Sequence, residues 1–293
     1  MFLLLSRIIR QRCLALALLG ALVLTACSAI KIGYEQAPTL AYWWLDGHVD
    51  FEGDQPGHVR EALDRLQRWH RQNELSPTAD LLARLATLAQ APLDAEQACQ
   101  LTREAERRAG RLMHEAVRTA APLATRINAR QIGHLSAQLD RKNTQWEEKW
   151  LEGPPLARLQ RRLDRQVDRY ADFYGSLSTE QVGLLRQQLE RSVWTPEWGR
   201  RERLRQQREL LGALMRIEQE KLGVKPAEAL LLGVWERWMH PSAEADRQRW
   251  QAWREQGCKD LAELHNTTSA EQRQRAVRRL RAYEKDLREL AAR

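Results

Sequence analysis

The chain has 293 residues, of which 29% are charged, and it carries a formal net charge of +8. Positive and negative side chains alternate along nearly every segment, which indicates solvated helix faces, so we expect no nucleic-acid partner. The 7 histidines are dispersed, and no metal-ligand spacing occurs after residue 27, so we expect neither a metal site nor a cofactor.

The first 26 residues have the three parts of a secretory signal peptide: arginines, an apolar run and small residues. The apolar run, Cys13 to Leu24, has 12 residues, whereas a membrane-spanning helix needs about 20. The LTAC stretch that ends at Cys27 resembles a bacterial lipobox, which implies cleavage before Cys27 and acylation of its thiol. Two or more acyl chains form a lasting membrane anchor. An ordinary secretory signal, in which Cys27 is incidental, is the alternative.

The residue after Cys27 is Ser28. In the lipoproteins of Gram-negative bacteria an aspartate at this position favours retention in the inner membrane. The resemblance therefore implies an outer-membrane lipoprotein that faces the periplasm. We predict three parts in the chain: a signal peptide over 1–26, a lipidated N-terminus with a short tether over 27–35, and a single all-helical periplasmic domain over 36–293.

Apolar residues recur at helical spacing through most of the chain after the signal peptide. One series steps by three or four residues from Leu156 to Tyr174, and another from Ala276 to Leu290. No stretch shows the two-residue alternation of a strand, so the sequence predicts an all-α fold. Prolines and glycines divide the chain into about 9–11 helices, which we expect to form an irregular multi-helix bundle or a short helical superhelix.

Three stretches have the form of an N-terminal capping box, in which Asp or Ser precedes Gln by three residues. They are LDAEQ, LSTEQ and TSAEQ, and they begin at residues 93, 177 and 268. We predict that each begins a helix. LSTEQ also resembles the LTxxQ motif of small periplasmic chaperones of the Spy and CpxP type, which implies the shielding of unfolded proteins as an alternative function.

Two cysteines remain once the signal peptide is removed and Cys27 is acylated. These are Cys99 and Cys258, and in an oxidising periplasm an even pair predicts a disulfide bond. The alternative is a pair of buried thiols that act as small apolar residues.

The chain contains 11 tryptophans but only 3 phenylalanines. Most of the tryptophans form pairs at helical spacing, and we interpret these pairs as core or rim residues. The functional alternative is a platform on which sugar rings or a membrane interface could lie, with help from neighbouring arginines. The candidate binding residues are Trp43, Trp44, Trp194, Trp198, Arg200 and Arg201.

Four stretches together resemble a known family: YWWLD at 42–46, LQRWH at 66–70, EQAC at 96–99 and the closing run from Cys258. They are similar to the proteobacterial lipoproteins grouped as domain-of-unknown-function family 6279. The resemblance implies an all-helical, membrane-attached periplasmic protein and brings no established activity. Such sequences often show LTDEQ where this chain has FEGDQ at 51–55, so Gly53 weakens the predicted cap of that helix.

No catalytic motif is present, whether a G-x-S-x-G elbow, a glycine-rich phosphate loop or a dinucleotide fingerprint. His48 and the acidic residues of 50–54 lack the calcium-loop pattern and are interpreted as a solvated turn. We therefore expect a noncatalytic binding or scaffold module of the cell envelope, with envelope proteins or peptidoglycan as partners. Glycan binding through tryptophan pairs and arginines is one alternative, and a cell-wall hydrolase is the least favoured.

Overall fold

The computed structural model describes residues 30–293, so the predicted signal peptide and Cys27 lie outside the described residues. Within this range the chain forms helices and no strand, which confirms the predicted all-α fold. A helical segment over 30–35 leads into eleven helices. Their bounds are α1 Ala37–Val49, α2 Gln55–Asn73, α3 Leu75–Leu88, α4 Ala95–Ala124, α5 Ala129–Trp150, α6 Pro155–Tyr174, α7 Thr179–Glu190, α8 Pro196–Gln219, α9 Val224–Met239, α10 Glu244–Asn266 and α11 Ala270–Ala291.

The long helix α4 lies at the centre of the bundle and contacts α2, α3, α9 and α10, while α3 packs along α11. One hydrophobic core joins α5, α8 and α9 through residues such as Ile132, Ile217 and Val234. A second core joins α6, α7 and α10 through Leu163 and Leu264. No helix in residues 30–293 is both long and apolar enough to cross a bilayer.

All three predicted capping boxes are present. The side chains of Asp94, Ser178 and Ser269 each accept a hydrogen bond from the amide of the glutamine three residues later, at 2.7, 3.2 and 3.1 Å. They begin α4, α7 and α11. A fourth box, which was not predicted, begins α5 through Asn128 and Gln131. At the FEGDQ stretch, by contrast, the side chain that precedes α2 makes no capping bond.

Glutamines at the starts of separate helices also bond to each other. The side-chain amides of Gln55 and Gln131 exchange hydrogen bonds of 3.2 and 2.7 Å between the starts of α2 and α5. Those of Gln181 and Gln272 exchange two bonds of 2.9 Å between α7 and α11. Each pair therefore fixes the relative position of two helix starts that are distant in the sequence.

The segment predicted as a tether is packed on the bundle where the structure describes it. Residues 30–35 are helical, the Lys31 ammonium lies 2.5 Å from the Glu289 carboxylate, and the Tyr34 hydroxyl lies 3.1 Å from the His70 ring. These contacts hold the segment against α2 and α11. Only residues 28–29 separate the described helix from Cys27.

Cys99 on α4 and Cys258 on α10 lie at disulfide distance, as predicted, with their Cα atoms 5.1 Å apart. The same two elements are joined at Asn266, whose side chain accepts a hydrogen bond from the Leu93 amide at 2.8 Å and donates one to the Leu93 carbonyl at 2.9 Å. The disulfide bond and the two hydrogen bonds of Asn266 together hold the start of α4 against the second half of α10.

Candidate functional site

Trp194 and Trp198 do not share a helix face, although their spacing of four residues predicted that they would. Helix α8 begins between them. The Thr195 side chain caps the helix by accepting a hydrogen bond from the Trp198 amide at 3.2 Å, and Pro196 is the first helical residue. Trp194 therefore precedes the helix, where the rule for neighbours on one face does not apply. Trp198 is 2% exposed and packs edge-to-face against two tryptophans of α10, so its indole belongs to the interior.

The other predicted binding residues lie on two different helices, α1 and α8. Trp43 and Trp44 are exposed on α1. Arg200 forms an ion pair with Glu147 at 2.6 Å, and Arg201 is exposed on the first turns of α8. The structure thus does not bring the six predicted residues together into one site.

A groove of about 370 Å³ lies between α5, α6, the α7–α8 connection and α10. We call it the tryptophan–arginine groove, because the indoles and guanidinium groups of seven residues dominate its walls. No carboxylate lines it among the residues that the structure describes. The seven residues are Trp146, Trp150, Trp194, Trp253, Arg162, Arg165 and Arg169.

Helical spacing explains how these side chains come together. The three arginines occupy positions i, i+3 and i+7 of α6, which share one face. Trp146 and Trp150 occupy i and i+4 of α5, so here the prediction of tryptophan pairs on one face is confirmed. The Trp150 ring lies 5.2 Å from the Lys149 ammonium and 5.4 Å from the Arg165 guanidinium, within the range of cation–π attraction.

The groove is positively charged. Arg162, Arg165 and Arg169 form no ion pair in residues 30–293, and residues 1–34 contain no acidic side chain that could supply one. Burial lowers the pKa of Arg162, an effect that Glu197 only partly opposes. The Arg162 guanidinium lies 5.3 Å from the centre of the Trp194 ring. This arrangement can bind an anion beside a flat apolar surface.

Two further chambers adjoin the groove. The first, of about 320 Å³, shares Arg169 with it and contains two carboxylates, Glu106 and Asp260. Glu106 lies 3.2 Å from Arg254, and Asp260 lies 3.0 Å from Arg191. Burial raises the pKa of Asp260, although its pairing with Arg191 opposes that shift. The second chamber, of about 360 Å³, is lined mainly by apolar side chains and also has Arg169 in its wall.

The acidic turn is exposed to solvent, as interpreted from the sequence, with half or more of the side-chain surface of Asp50, Glu52 and Asp54 accessible, and arginines pair with it. Arg130 lies 2.6 Å from Asp50 and 2.9 Å from Glu52, and Arg126 lies 2.9 Å from Asp54. In residues 30–293 no group of three or more His, Cys, Asp or Glu side chains is arranged to hold a metal ion.

A family model described as a family of unknown function, DUF6279, matches residues 47–237 of the chain. The chain belongs to DUF6279. No match was found among curated proteins or among solved structures. The matched range includes the LQRWH and EQAC stretches, and it leaves out YWWLD and the closing run from Cys258.

The groove of this DUF6279 member combines residues from inside the range that the family model matches with a residue from beyond it. Trp146, Trp150, Trp194 and the three arginines lie inside the matched range, whereas Trp253 and the bonded Cys258 lie beyond it. Sequence reasoning recognised the tryptophan pairs but missed the arginines. The signal that could have found them is their i, i+3, i+7 spacing beside the apolar stripe of α6.

Gly199 makes room for one wall of the groove in the DUF6279 chain. A Cβ atom at this position would lie 2.7 Å from Cζ2 of Trp194, closer than atoms of a side chain and a ring can approach. Glycine is therefore required for the observed position of the Trp194 ring.

The apolar chamber contains a histidine that should make the stability of the DUF6279 chain depend on pH. His265 Nε2 lies 2.9 Å from the Ala91 carbonyl, so Nε2 donates, and Nδ1 accepts from the Tyr174 hydroxyl at 2.9 Å. Burial lowers the pKa of His265 from its ordinary value of 6.5 and raises that of Tyr174 to about 12. The folded chain therefore holds a neutral imidazole.

We expect the thermal unfolding midpoint to fall as the pH drops below about 6.5, because the unfolded histidine then binds a proton that the folded one excludes. The contribution of His265 to the free energy of unfolding is fully present above pH 6.5. It is lost as the pH falls through the lower pKa that His265 has in the folded chain. The variant His265→Gln, which cannot titrate, should show a flatter dependence between pH 7 and 5 in a series of thermal melts. Identical slopes for the two proteins would contradict the assignment.

Proposed function

We propose that this chain is a noncatalytic binding module of the Gram-negative cell envelope, anchored by acyl chains on Cys27 at the periplasmic face of the outer membrane. We further propose that the tryptophan–arginine groove is its binding surface and that its ligand is an anionic glycan, peptidoglycan. One observation carries the proposal: four indoles and three arginines without ion pairs line one groove that, in the described part of the chain, contains no carboxylate.

The chemistry of the groove supports a ligand with both sugar rings and negative charges. Arg162 donates to the carbonyls of Leu189 and Trp194 at 3.5 and 3.4 Å, whereas the structure shows no hydrogen bond from Arg165 or Arg169 within residues 30–293. A hydrogen bond between a guanidinium and an anion contributes about 1.5–3 kcal/mol to the free energy of binding when it replaces no internal bond. Indole faces are apolar and pack against the apolar faces of sugar rings. Peptidoglycan offers both features, since its peptides carry carboxylates and its backbone is a glycan. A volume of about 370 Å³ lies within the range of small-ligand pockets.

The surroundings of the carboxylates support binding without catalysis. Most glycosidases use two carboxyl groups beside the scissile bond, one of which transfers a proton. Glu106 and Asp260 line the adjoining chamber, and both are ion paired with arginines. We therefore expect no soluble fragments to be released when the protein is incubated with peptidoglycan.

The chaperone alternative loses its sequence support. It rested on the LSTEQ motif, whose Gln181 is 3% exposed. Its side chain is used to cap α7 and to bond Gln272 and the Thr267 carbonyl. Capping and helix pairing therefore account for this motif without a client protein.

Binding to purified peptidoglycan sacculi tests the proposal. We expect the mature chain to sediment with sacculi, and Trp146→Ala or Arg169→Gln to weaken binding about tenfold, which corresponds to the loss of about 1.4 kcal/mol from one stacking or charged contact. Both side chains are at least partly exposed, so these variants should fold. Trp44→Ala, an exposed tryptophan outside the groove, is the matched control and should bind like the original chain. No retention of the unmodified chain, or equal loss in the control, would contradict the proposal.

A further inference from the structure

Four large apolar side chains are exposed near the start of the described chain. Eight such side chains are exposed in residues 30–293, and half of them lie between residues 32 and 44. These are Ile32, Leu40, Trp43 and Trp44, with exposures of 61%, 53%, 63% and 62%. The other four are scattered over separate helices. Single apolar residues are ordinary on a protein surface, whereas a contiguous patch indicates an interaction surface.

The four side chains share one face because the helical path continues past Pro38. The Gln36 amide donates to the Ile32 carbonyl at 3.0 Å, and the Leu40 amide donates to the Gln36 carbonyl at 3.0 Å. With 3.6 residues per turn, the same face carries only uncharged residues in addition. We call this surface the N-terminal apolar face; it consists of residues 32, 33, 36, 37, 40, 43, 44 and 47.

The charged residues at the start of this helical segment point to the bundle and are paired there. Lys31 lies 2.5 Å from Glu289, and Glu35 lies 3.0 Å from Arg71. The outward face is thus free of charge because the charges at the start of the helix are used in contacts with α2 and α11.

We infer that the N-terminal apolar face lies flat on the surface of a lipid bilayer and orients the protein on the membrane. The inference rests on the lipid anchor of the proposed function. Three residue steps separate Cys27 from Ile30, and each spans at most about 3.6 Å, so the helix begins within about 11 Å of the anchored residue. An acylated Cys27 lies at the membrane surface, and the helix that follows it must lie there too.

The composition of the face favours a bilayer over a second copy of the chain. Tryptophans are enriched at membrane interfaces, and an apolar helix face of this kind inserts between the head groups and the acyl chains. Together the four residues expose roughly 500 Å², if the full surface of each is taken as about 200 Å². That area is below the roughly 800 Å² that each partner of a stable dimer buries.

Cysteine accessibility in membranes tests the inference. The variants Leu40→Cys and Leu156→Cys each replace an exposed leucine, one on the face and one on α6. Full-length chains in open membrane fragments are treated with a charged maleimide that does not enter lipid, and the unmodified chain is the blank. We expect L40C to react about tenfold more slowly than L156C, because the bilayer covers residue 40. Detergent should remove the difference.

A second measurement needs no new cysteine. The full-length chain in vesicles of brominated phosphatidylcholine should lose tryptophan fluorescence, and the double variant Trp43→Ala, Trp44→Ala should abolish most of that quenching. Equal labelling of L40C and L156C in membranes would overturn the inference. A bifunctional maleimide that links two L40C chains would overturn it in favour of a second copy. A bare Cys27 thiol by mass spectrometry would overturn the anchor itself, whereas an acylated Cys27 with a reactive L40C would overturn only this inference.

Discussion

The double variant Cys99→Ala, Cys258→Ala is expected to lose about 3–5 kcal/mol of the free energy of unfolding. The bonded residues are separated by 159 positions, so the bond closes a long loop. Such a loop restricts the unfolded chain by about 5 kcal/mol in the chain-entropy description, and small distortions reduce the measured value. The expected loss is a large fraction of the total stability of a protein, about 5–15 kcal/mol. Urea denaturation followed by circular dichroism measures it.

The control for this prediction is the unmodified chain treated with a reducing agent. Its stability should fall to that of the double variant, because the two then differ only by two buried thiols. Equal stability of the oxidised chain and the double variant would contradict the prediction and show that the unfolded chain gains no freedom when the bond is absent.

The variant Gln131→Ala is expected to lose about 3 kcal/mol of the free energy of unfolding, which is the second large effect. Gln131 is 0% exposed, and it donates to the Asp50 carbonyl at 3.0 Å and to the Gln55 side chain at 2.7 Å. The Gln131 side-chain oxygen also accepts a hydrogen bond from the Asn128 amide at 3.2 Å. Its removal costs about 1 kcal/mol for the cap and about 1–3 kcal/mol for the buried partners that are left without a bond.

Gln97→Ala is the matched control for Gln131→Ala. Gln97 closes the same type of capping box, at the start of α4, but its amide bonds no second glutamine in residues 30–293. This variant should lose only about 1 kcal/mol of the free energy of unfolding, because only the cap is removed. In a double-mutant cycle, Gln55→Ala and Gln131→Ala should be coupled, because each removes the partner of the other. Additive losses would contradict the idea that the two amides act as a pair.

The helices and the disulfide bond could be predicted because they depend on local pattern and on chemistry. The capping boxes at Asp94, Ser178 and Ser269 require only four consecutive residues. Once the signal peptide is removed and Cys27 is taken as acylated, the two remaining cysteines leave one possible pair. The role of the glutamines was only half predictable. That each caps a helix is local, whereas the pairing of Gln181 with Gln272 depends on how two distant helices meet.

The groove was not predictable in the same way. A single residue, Thr195, decides that Trp194 and Trp198 face different surroundings, because its side chain sets the start of α8 between them. The spacing of the three arginines places them on one face of α6, but it does not tell whether acidic side chains of other helices pair with them. Their lack of acidic partners within the described residues follows from the packing of α5, α7 and α10 around them, which no local pattern specifies.

Gly199 has a further consequence for how this surface can vary. A methyl group there would displace the Trp194 ring, which lies between that position and the groove. A substitution at residue 199 would thus reshape the groove on the side of Trp194, where Arg162 lies 5.3 Å from the ring, while Arg165 lies against Trp150 on the other side. In the proposed function, residue 199 would therefore affect which sizes of ligand the groove accepts, although it does not line the groove itself.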